Sequence, residues 1–114
     1  MATNELEYAY TAFKVVGDSM DDSTRSSFEE GDKLLVIPVE DFRTAISVDL
    51  DSFWVIEVKN GILFKQIIDY SASTDTVTCH SLNTSYLDYQ VQVNDIDKVY
   101  KVVQKQGRPI YYGD

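Results

Sequence analysis

The stretch Phe53 to Ile68 constrains the fold most, because it has the pattern of a β-hairpin. Asn60 and Gly61 in its middle are the strongest short-range signal for a type I′ turn, which needs two residues with positive φ. With that turn, Lys65 lies opposite Ile56, and side chains alternate between the two faces of the hairpin. One face then carries a lysine among apolar side chains: Trp54, Ile56, Val58, Leu63, Lys65 and Ile67.

Two interpretations of Lys65 are open. Near a sheet edge, a lysine can bury its methylene groups and extend its ammonium group into water. Away from water, desolvation disfavours the charged form and turns the amine into a usable base. A lysine base acts on a nucleophile, so the second interpretation requires one elsewhere in the chain.

The rest of the chain has the pattern of short strands separated by turns. Besides the hairpin, strands are predicted at Phe13–Val16, Lys33–Val39, Thr76–Leu82, Tyr89–Val93 and Val99–Val103. A short helix is predicted over Val39–Ile46. The segment Asp18–Thr24 is polar and rich in capping residues, which predicts a tight turn that leads into one or two helical turns. Alternating side chains at residues 6–12 predict an extended segment, with a helical turn at Tyr8–Phe13 as the alternative. These elements predict a mainly β fold of short strands with one short helical segment.

Length and charge limit the possible partners. A chain of 114 residues has room for one core, so residues 1–114 are predicted to form a single domain. The formal net charge of −9 repels phosphate backbones, so no direct binding to nucleic acid is expected. The longest apolar run, Leu34–Val39, is far too short to span a bilayer, and no signal-peptide pattern is present. We therefore expect a cytoplasmic protein without a membrane partner, and the single cysteine, Cys79, fits a reducing compartment.

Other polar groups carry weaker signals. His80 is the only histidine, so a Ser-His-Asp triad would require it, but a half-exposed strand histidine is the simpler explanation. Cys79 is its neighbour on the same predicted strand, so the two side chains point to opposite faces. The acidic pairs at positions 21–22 and 29–30 lack the spaced ligands of a calcium loop and indicate solvated charge. No zinc or phosphate-binding motif is present.

Ser19 is the candidate nucleophile. It lies in a polar turn, two residues after Gly17, where a predicted strand ends. Glycine permits a sharp turn, and a serine there can present its hydroxyl beside backbone amides that hold an oxyanion. A serine in such a turn is often a turn residue and nothing more. A buried lysine elsewhere strengthens the catalytic interpretation, because a serine nucleophile without a histidine needs another base.

The residues around the two candidates resemble a known family. Their pattern is similar to the carboxy-terminal domain of LexA, UmuD and lambda-type phage repressors. The similarity runs from about Phe13 to Val103 and rests on four segments: FKVVGDSM at 13–20, GDKLLV at 31–36, GILFK at 61–65 and an Asn-x-x-Tyr at 83–86.

The resemblance implies a LexA/signal peptidase-like fold and a serine-lysine dyad. It implies that Ser19 is the nucleophile, that Lys65 is the general base, and that the backbone amides of Asp18 and Ser19 are the oxyanion donors. It implies no metal and no cofactor.

Two features depart from the family pattern. The regulators of this family carry an upstream DNA-binding helix-turn-helix and cut an Ala-Gly or Cys-Gly bond in their own chain. In this sequence no such dipeptide precedes Ser19. Residues 1–12 are therefore interpreted as a linker or a remnant of the cleavage segment. The separation between Ser19 and Lys65 is also long for the family, with Glu40–Ser52 as the predicted insertion.

The predicted function is that of the carboxy-terminal domain of a phage or stress-response transcriptional repressor. This domain would be a self-cleaving type of serine-lysine peptidase that also forms a homodimer, and its substrate would be a peptide segment of its own or a related chain. The alternative is a non-catalytic dimerisation domain with a vestigial dyad, whose apolar strands and tyrosine-rich tail form the interface. A signal peptidase is a weaker alternative, because no membrane segment is present.

Overall fold

One antiparallel β-sheet forms most of the structure, and one short α-helix packs beside it. The computed structural model describes residues 11–105 and 108–109. Its elements are β1 (Thr11–Lys14), β2 (Lys33–Val39), α1 (Phe42–Val48), β3 (Phe53–Val58), β4 (Gly61–Ser71), β5 (Thr76–His80), β6 (Tyr89–Gln92), a 3-10 turn (Val93–Asp95), β7 (Ile96–Lys105) and β8 (Arg108–Pro109). The strands lie in the order β1-β2-β7-β3-β4-β5-β6, and β8 pairs with the end of β7. The predicted mainly β fold with one short helical segment is confirmed in the described residues.

The ends of some strands differ from the prediction. The first strand was expected at Phe13–Val16, but β1 ends at Lys14. The last predicted strand is longer than expected, since β7 has ten residues. Residues 6–10 of the predicted extended segment, and most of the tyrosine-rich tail, lie outside the described residues.

The helical turns predicted over Asp18–Thr24 are wrong. The carboxylates of Asp21 and Asp22 accept hydrogen bonds from the backbone amides of Ser23 and Thr24, each at 2.9 Å. Such local bonds compete with the hydrogen bonds of a helix. Ser23 also has a φ of 71°, which a right-handed helix excludes. The Asp21 amide donates to the Asp18 carbonyl at 3.1 Å, so the predicted tight turn forms, but further turns follow it in place of a helix.

The central hairpin forms, but its turn is at Lys59 and Asn60 rather than at Asn60 and Gly61. Neither residue of the turn has a positive φ, so the predicted type I′ turn is wrong; Gly61 has the positive φ, of 155°. Lys65 therefore pairs with Trp54 and not with the predicted isoleucine. The register differs from the prediction by two residues, and because side chains alternate with period two, each keeps its predicted face.

The connection between β1 and β2, residues 15–32, positions the candidate nucleophile. Backbone hydrogen bonds of 2.9 Å join its two ends. Met20 and Phe28 within it are each 1% exposed. The Phe28 ring packs edge-on against the rings of Phe53 and Phe64, with centroid distances of 4.9 and 4.8 Å. Aromatic pairs of this geometry contribute stabilising free energy in addition to that of the apolar area they bury. The connection is therefore anchored on β3 and β4.

Helix α1 begins later than predicted, at Phe42, after an N-cap. The Asp41 side chain accepts a hydrogen bond from the backbone amide of Thr44, as capping residues do. Arg43 donates to both carboxylate oxygens of Asp75, at 3.0 and 2.8 Å, which ties the helix to the turn between β4 and β5. The described part of the chain contains no helix with the length and apolar character that crossing a membrane requires.

Candidate active site

Ser19 lies in the turn that follows β1. Gly17 has a φ of 80°, in the left-handed region that favours glycine, so the chain can turn sharply there. Met20, the residue after Ser19, is almost completely buried, whereas Ser19 stays partly exposed. The turn is therefore anchored in the core beside a serine that faces outward.

Lys65 lies on β4, which has β3 on one side and β5 on the other. Trp54, Ile56 and Ile67 share its predicted face and are each 0% exposed, and Lys65 itself is 8% exposed. A lysine that extended its ammonium group into water would keep more of its surface exposed. The structure therefore favours the interpretation in which the amine is held away from water.

The two candidate residues are in direct contact. Lys65 Nζ donates a hydrogen bond to Ser19 Oγ at 2.6 Å. This distance is within the range of roughly 2.6 to 3.2 Å expected for a base and the group that it deprotonates. Among the ion pairs of the described residues, none involves Lys65. The amine is therefore paired with a neutral hydroxyl, and we name this pair the dyad.

Burial lowers the pKa of the Lys65 amine, because desolvation disfavours the ammonium form. The opposing influence comes from Cys79, whose thiolate would raise the pKa of Lys65. Burial, however, raises the pKa of the Cys79 thiol to about 11. Near pH 7 this thiol is neutral and supplies no counter-charge, so the environment favours a neutral amine that can accept a proton.

The backbone amides of Asp18 and Ser19, the expected oxyanion donors, belong to the turn that carries the nucleophile. Among the hydrogen bonds of residues 11–105, neither amide is a donor. Backbone N–H groups without a partner can stabilise an oxygen that becomes negatively charged during a reaction. The turn therefore contains two N–H groups of the kind that an oxyanion site uses, and neither is engaged with another described residue.

The dyad opens into a cleft of about 490 Å³ that is lined mainly by apolar side chains. Val16, Ile62 and Leu87 line it from three separate segments, and they are 84%, 56% and 86% exposed. Tyr86 and Tyr89 line it as well. Clustered exposed apolar groups mark sites where another molecule binds. This cleft was not predicted from the sequence, although Val16 and Leu87, apolar residues that lie between strands, are a signal for it.

Two residues that hold the Ser19 turn were also not predicted as site residues. The backbone amide of Asn83 donates to the Ser19 carbonyl at 3.0 Å, and Asn83 Nδ2 donates to the Asp18 carbonyl at 3.2 Å. The Tyr86 hydroxyl donates to the Asp18 carboxylate. In the sequence these residues appear only as a family-like Asn-x-x-Tyr spacing, which does not say what they contact.

The other candidates lie apart from the dyad. His80 Nδ1 is 2.7 Å from Asp88 Oδ1, and its side chain is 32% exposed, which agrees with a half-exposed strand histidine. Asp21 and Asp22 accept hydrogen bonds within their own turn. In the described part of the chain, no three His, Cys, Asp or Glu side chains are grouped as a metal site.

Comparison with known proteins does not assign a family. No family model matches the chain, and no curated protein matches it either. The family resemblance therefore rests only on the four sequence segments at 13–20, 31–36, 61–65 and 83–86.

Proposed function

We propose that the chain is a serine peptidase in which Ser19 is the nucleophile and Lys65 is the general base. One observation carries the proposal: the 2.6 Å hydrogen bond between Lys65 Nζ and Ser19 Oγ involves a lysine that is 8% exposed. A hydrated surface lysine at the same distance would remain an ammonium ion and could not act as a base near neutral pH. Burial supports the neutral form.

In the first step, neutral Lys65 accepts the proton of the Ser19 hydroxyl while Ser19 Oγ attacks the carbonyl carbon of a peptide bond. The carbonyl oxygen becomes negatively charged, and the amides of Asp18 and Ser19 are suited to stabilise it. The C–N bond then breaks. The Lys65 ammonium returns its proton to the leaving amine, which leaves an acyl group on Ser19.

In the second step, a water molecule replaces the leaving amine. Lys65 accepts a proton from this water, whose oxygen attacks the acyl carbon. The ester bond to Ser19 breaks, Ser19 Oγ regains a proton from Lys65, and the product leaves as a carboxylic acid. The dyad returns to its starting state, and no metal or cofactor takes part.

The cleft suggests the kind of substrate. Its exposed side chains, Val16, Ile62 and Leu87, suit a peptide segment with apolar residues near the bond that is cut. We propose that this segment belongs to the same or a related chain, and that the protein is the dimeric, cytoplasmic carboxy-terminal domain of a phage or stress-response repressor. These parts of the proposal rest on the family resemblance. The net charge of −9 supports the expectation that this chain does not bind DNA directly.

The pH dependence of Ser19 reactivity tests the proposal. We expect a fluorophosphonate with a short alkyl chain to label Ser19 at a rate that rises about tenfold per pH unit and then levels off, because only neutral Lys65 is a base. The measurement is the labelling rate across the pH range, with the modified residue identified by mass spectrometry. Ser19→Ala is the control and should not be labelled. A rate that is independent of pH, or labelling of another residue, would contradict the assignment.

A second candidate function is dimerisation without catalysis. The observation that favours it is the group of exposed apolar side chains, which would also suit a protein interface. In that case the dyad would be vestigial, and Ser19 would fail to react at any pH.

A further inference from the structure

The segment Asn83–Tyr86 is bound to the backbone on both sides of the nucleophile. Asn83 Nδ2 donates to the Asp18 carbonyl at 3.2 Å, and the Asn83 amide donates to the Ser19 carbonyl at 3.0 Å. We propose that Asn83 is a positioning residue that sets the direction of the Ser19 N–H as an oxyanion donor. This inference rests on the proposed peptidase function.

The reason is the geometry of the peptide unit. The Asp18 carbonyl and the Ser19 N–H belong to one planar, trans unit, so they point in opposite directions. The hydrogen bond from Asn83 Nδ2 to the Asp18 oxygen therefore also fixes the direction of the Ser19 N–H. The bond from the Asn83 amide fixes the next peptide unit in the same way. The donor of the oxyanion site is thus oriented before a substrate binds.

The same bond also strengthens the donor. A carbonyl that accepts a hydrogen bond polarises its peptide unit, and hydrogen bonds in a chain reinforce one another. The Ser19 N–H becomes a better donor when Asn83 Nδ2 is bound at the other end of its peptide unit. Asn83 would therefore act through Ser19, without touching the reacting atoms.

Asn83 is itself held in place by its own loop. Its Oδ1 accepts a hydrogen bond from the Ser85 amide at 2.9 Å, and its carbonyl accepts one from the Tyr86 amide at 3.1 Å. The Tyr86 hydroxyl donates to the Asp18 carboxylate, and this bond raises the pKa of Tyr86, which keeps the hydroxyl protonated as a donor. The loop is thus attached to the Ser19 turn at three points.

Two variants of Asn83 test the proposal. Asn83→Ala removes the whole amide group, whereas Asn83→Asp keeps an oxygen that can accept the Ser85 amide but replaces the Nδ2 donor with a charged carboxylate oxygen. We expect both to lower the maximal rate of Ser19 labelling by the fluorophosphonate, by about 10- to 100-fold, which is less than the roughly 10²- to 10³-fold loss when an oxyanion donor is removed outright. The constant for reversible binding of the fluorophosphonate, before it reacts, should not change. In Asn83→Ala the midpoint of the pH dependence of the labelling rate should not change either.

A second readout is independent of the reaction. In the ¹H–¹⁵N spectrum of the uninhibited protein, the Ser19 amide signal should shift more in both variants than the amide signals of β4. If the maximal rate is retained in Asn83→Asp, or if only the constant for reversible binding changes, the proposed role of Asn83 is wrong. If the parent protein is not labelled at all, the peptidase proposal fails. In that case the Ser19 amide signal is the deciding measurement. A larger shift for Ser19 than for β4 supports the orienting role of Asn83, and the lack of such a difference overturns that role.

Discussion

Ser19→Ala and Lys65→Ala will each lower the cleavage of a peptide with an Ala-Gly bond by roughly 10⁴- to 10⁶-fold, the range found for residues that act as one catalytic unit. The first variant removes the attacking oxygen, and the second removes the group that accepts its proton. Because the two residues form a single hydrogen-bonded pair at 2.6 Å, the double variant should lose no more than either single variant.

The measurement is the rate of appearance of the two peptide products, with purified chain in excess over peptide. Lys59→Ala is a matched control, because Lys59 is an exposed lysine at the turn of the same hairpin. Ser26→Ala is the control for the serine, since Ser26 lies exposed in the same connection as Ser19. Both should cleave like the parent. A dyad variant that cleaves as fast as the parent would refute the assignment, and a parent that does not cleave would favour dimerisation without catalysis.

The second large effect is on stability. Lys65→Met keeps the length of the side chain and removes the charge from a site where Trp54, Ile56 and Ile67 on the same face are completely buried. We expect the variant to be more stable at pH 7 by about 1 to 3 kcal/mol, the cost of burying a polar group whose hydrogen bonds are incomplete. The comparison is made in a Ser19→Ala background, so that the hydrogen bond of the dyad is absent from both proteins.

The pH dependence of this difference has a definite sign. Because the pKa of Lys65 is lowered in the folded state, the unfolded chain binds more protons at any pH between the folded pKa and the ordinary value near ~10.4. The contribution of Lys65 to the stability of the parent therefore rises with pH in this window, and its full burial penalty is present below the window. Lys65→Met removes this slope. Urea midpoints of the parent and of Lys65→Met across this pH range measure the difference. If the two proteins have equal stabilities and equal pH slopes, Lys65 is hydrated.

The face on which Lys65 lies could be predicted from the sequence, although the turn was placed wrongly. The error in register was two residues, and a shift by an even number leaves every side chain on its face. A shift by one residue would have moved Lys65 to the opposite face, away from Trp54 and Ile67. The wrong position of the turn therefore did not change the predicted face of Lys65, on which the prediction of the dyad depends.

The contacts that hold the Ser19 turn could not be predicted in this way. Local patterns indicate turns and strands, but the hydrogen bonds from Asn83 to Asp18 and Ser19 join segments that are far apart in the chain. The failed prediction of helical turns has a different cause. The carboxylates of Asp21 and Asp22 bind backbone amides two residues ahead and so form turns where the prediction had a helix.

The most direct test of the dyad is the ionisation of the Lys65 amine itself. Its protonation can be followed by NMR through the ¹⁵Nζ and ¹³Cε signals, in the folded protein and in the same chain unfolded in urea. We expect the midpoint in the folded protein to lie below that in the unfolded chain, where an unperturbed lysine titrates near ~10.4. The difference should persist in Ser19→Ala, because burial is its cause. Identical midpoints in the folded and unfolded chain would contradict the assignment of Lys65 as the general base.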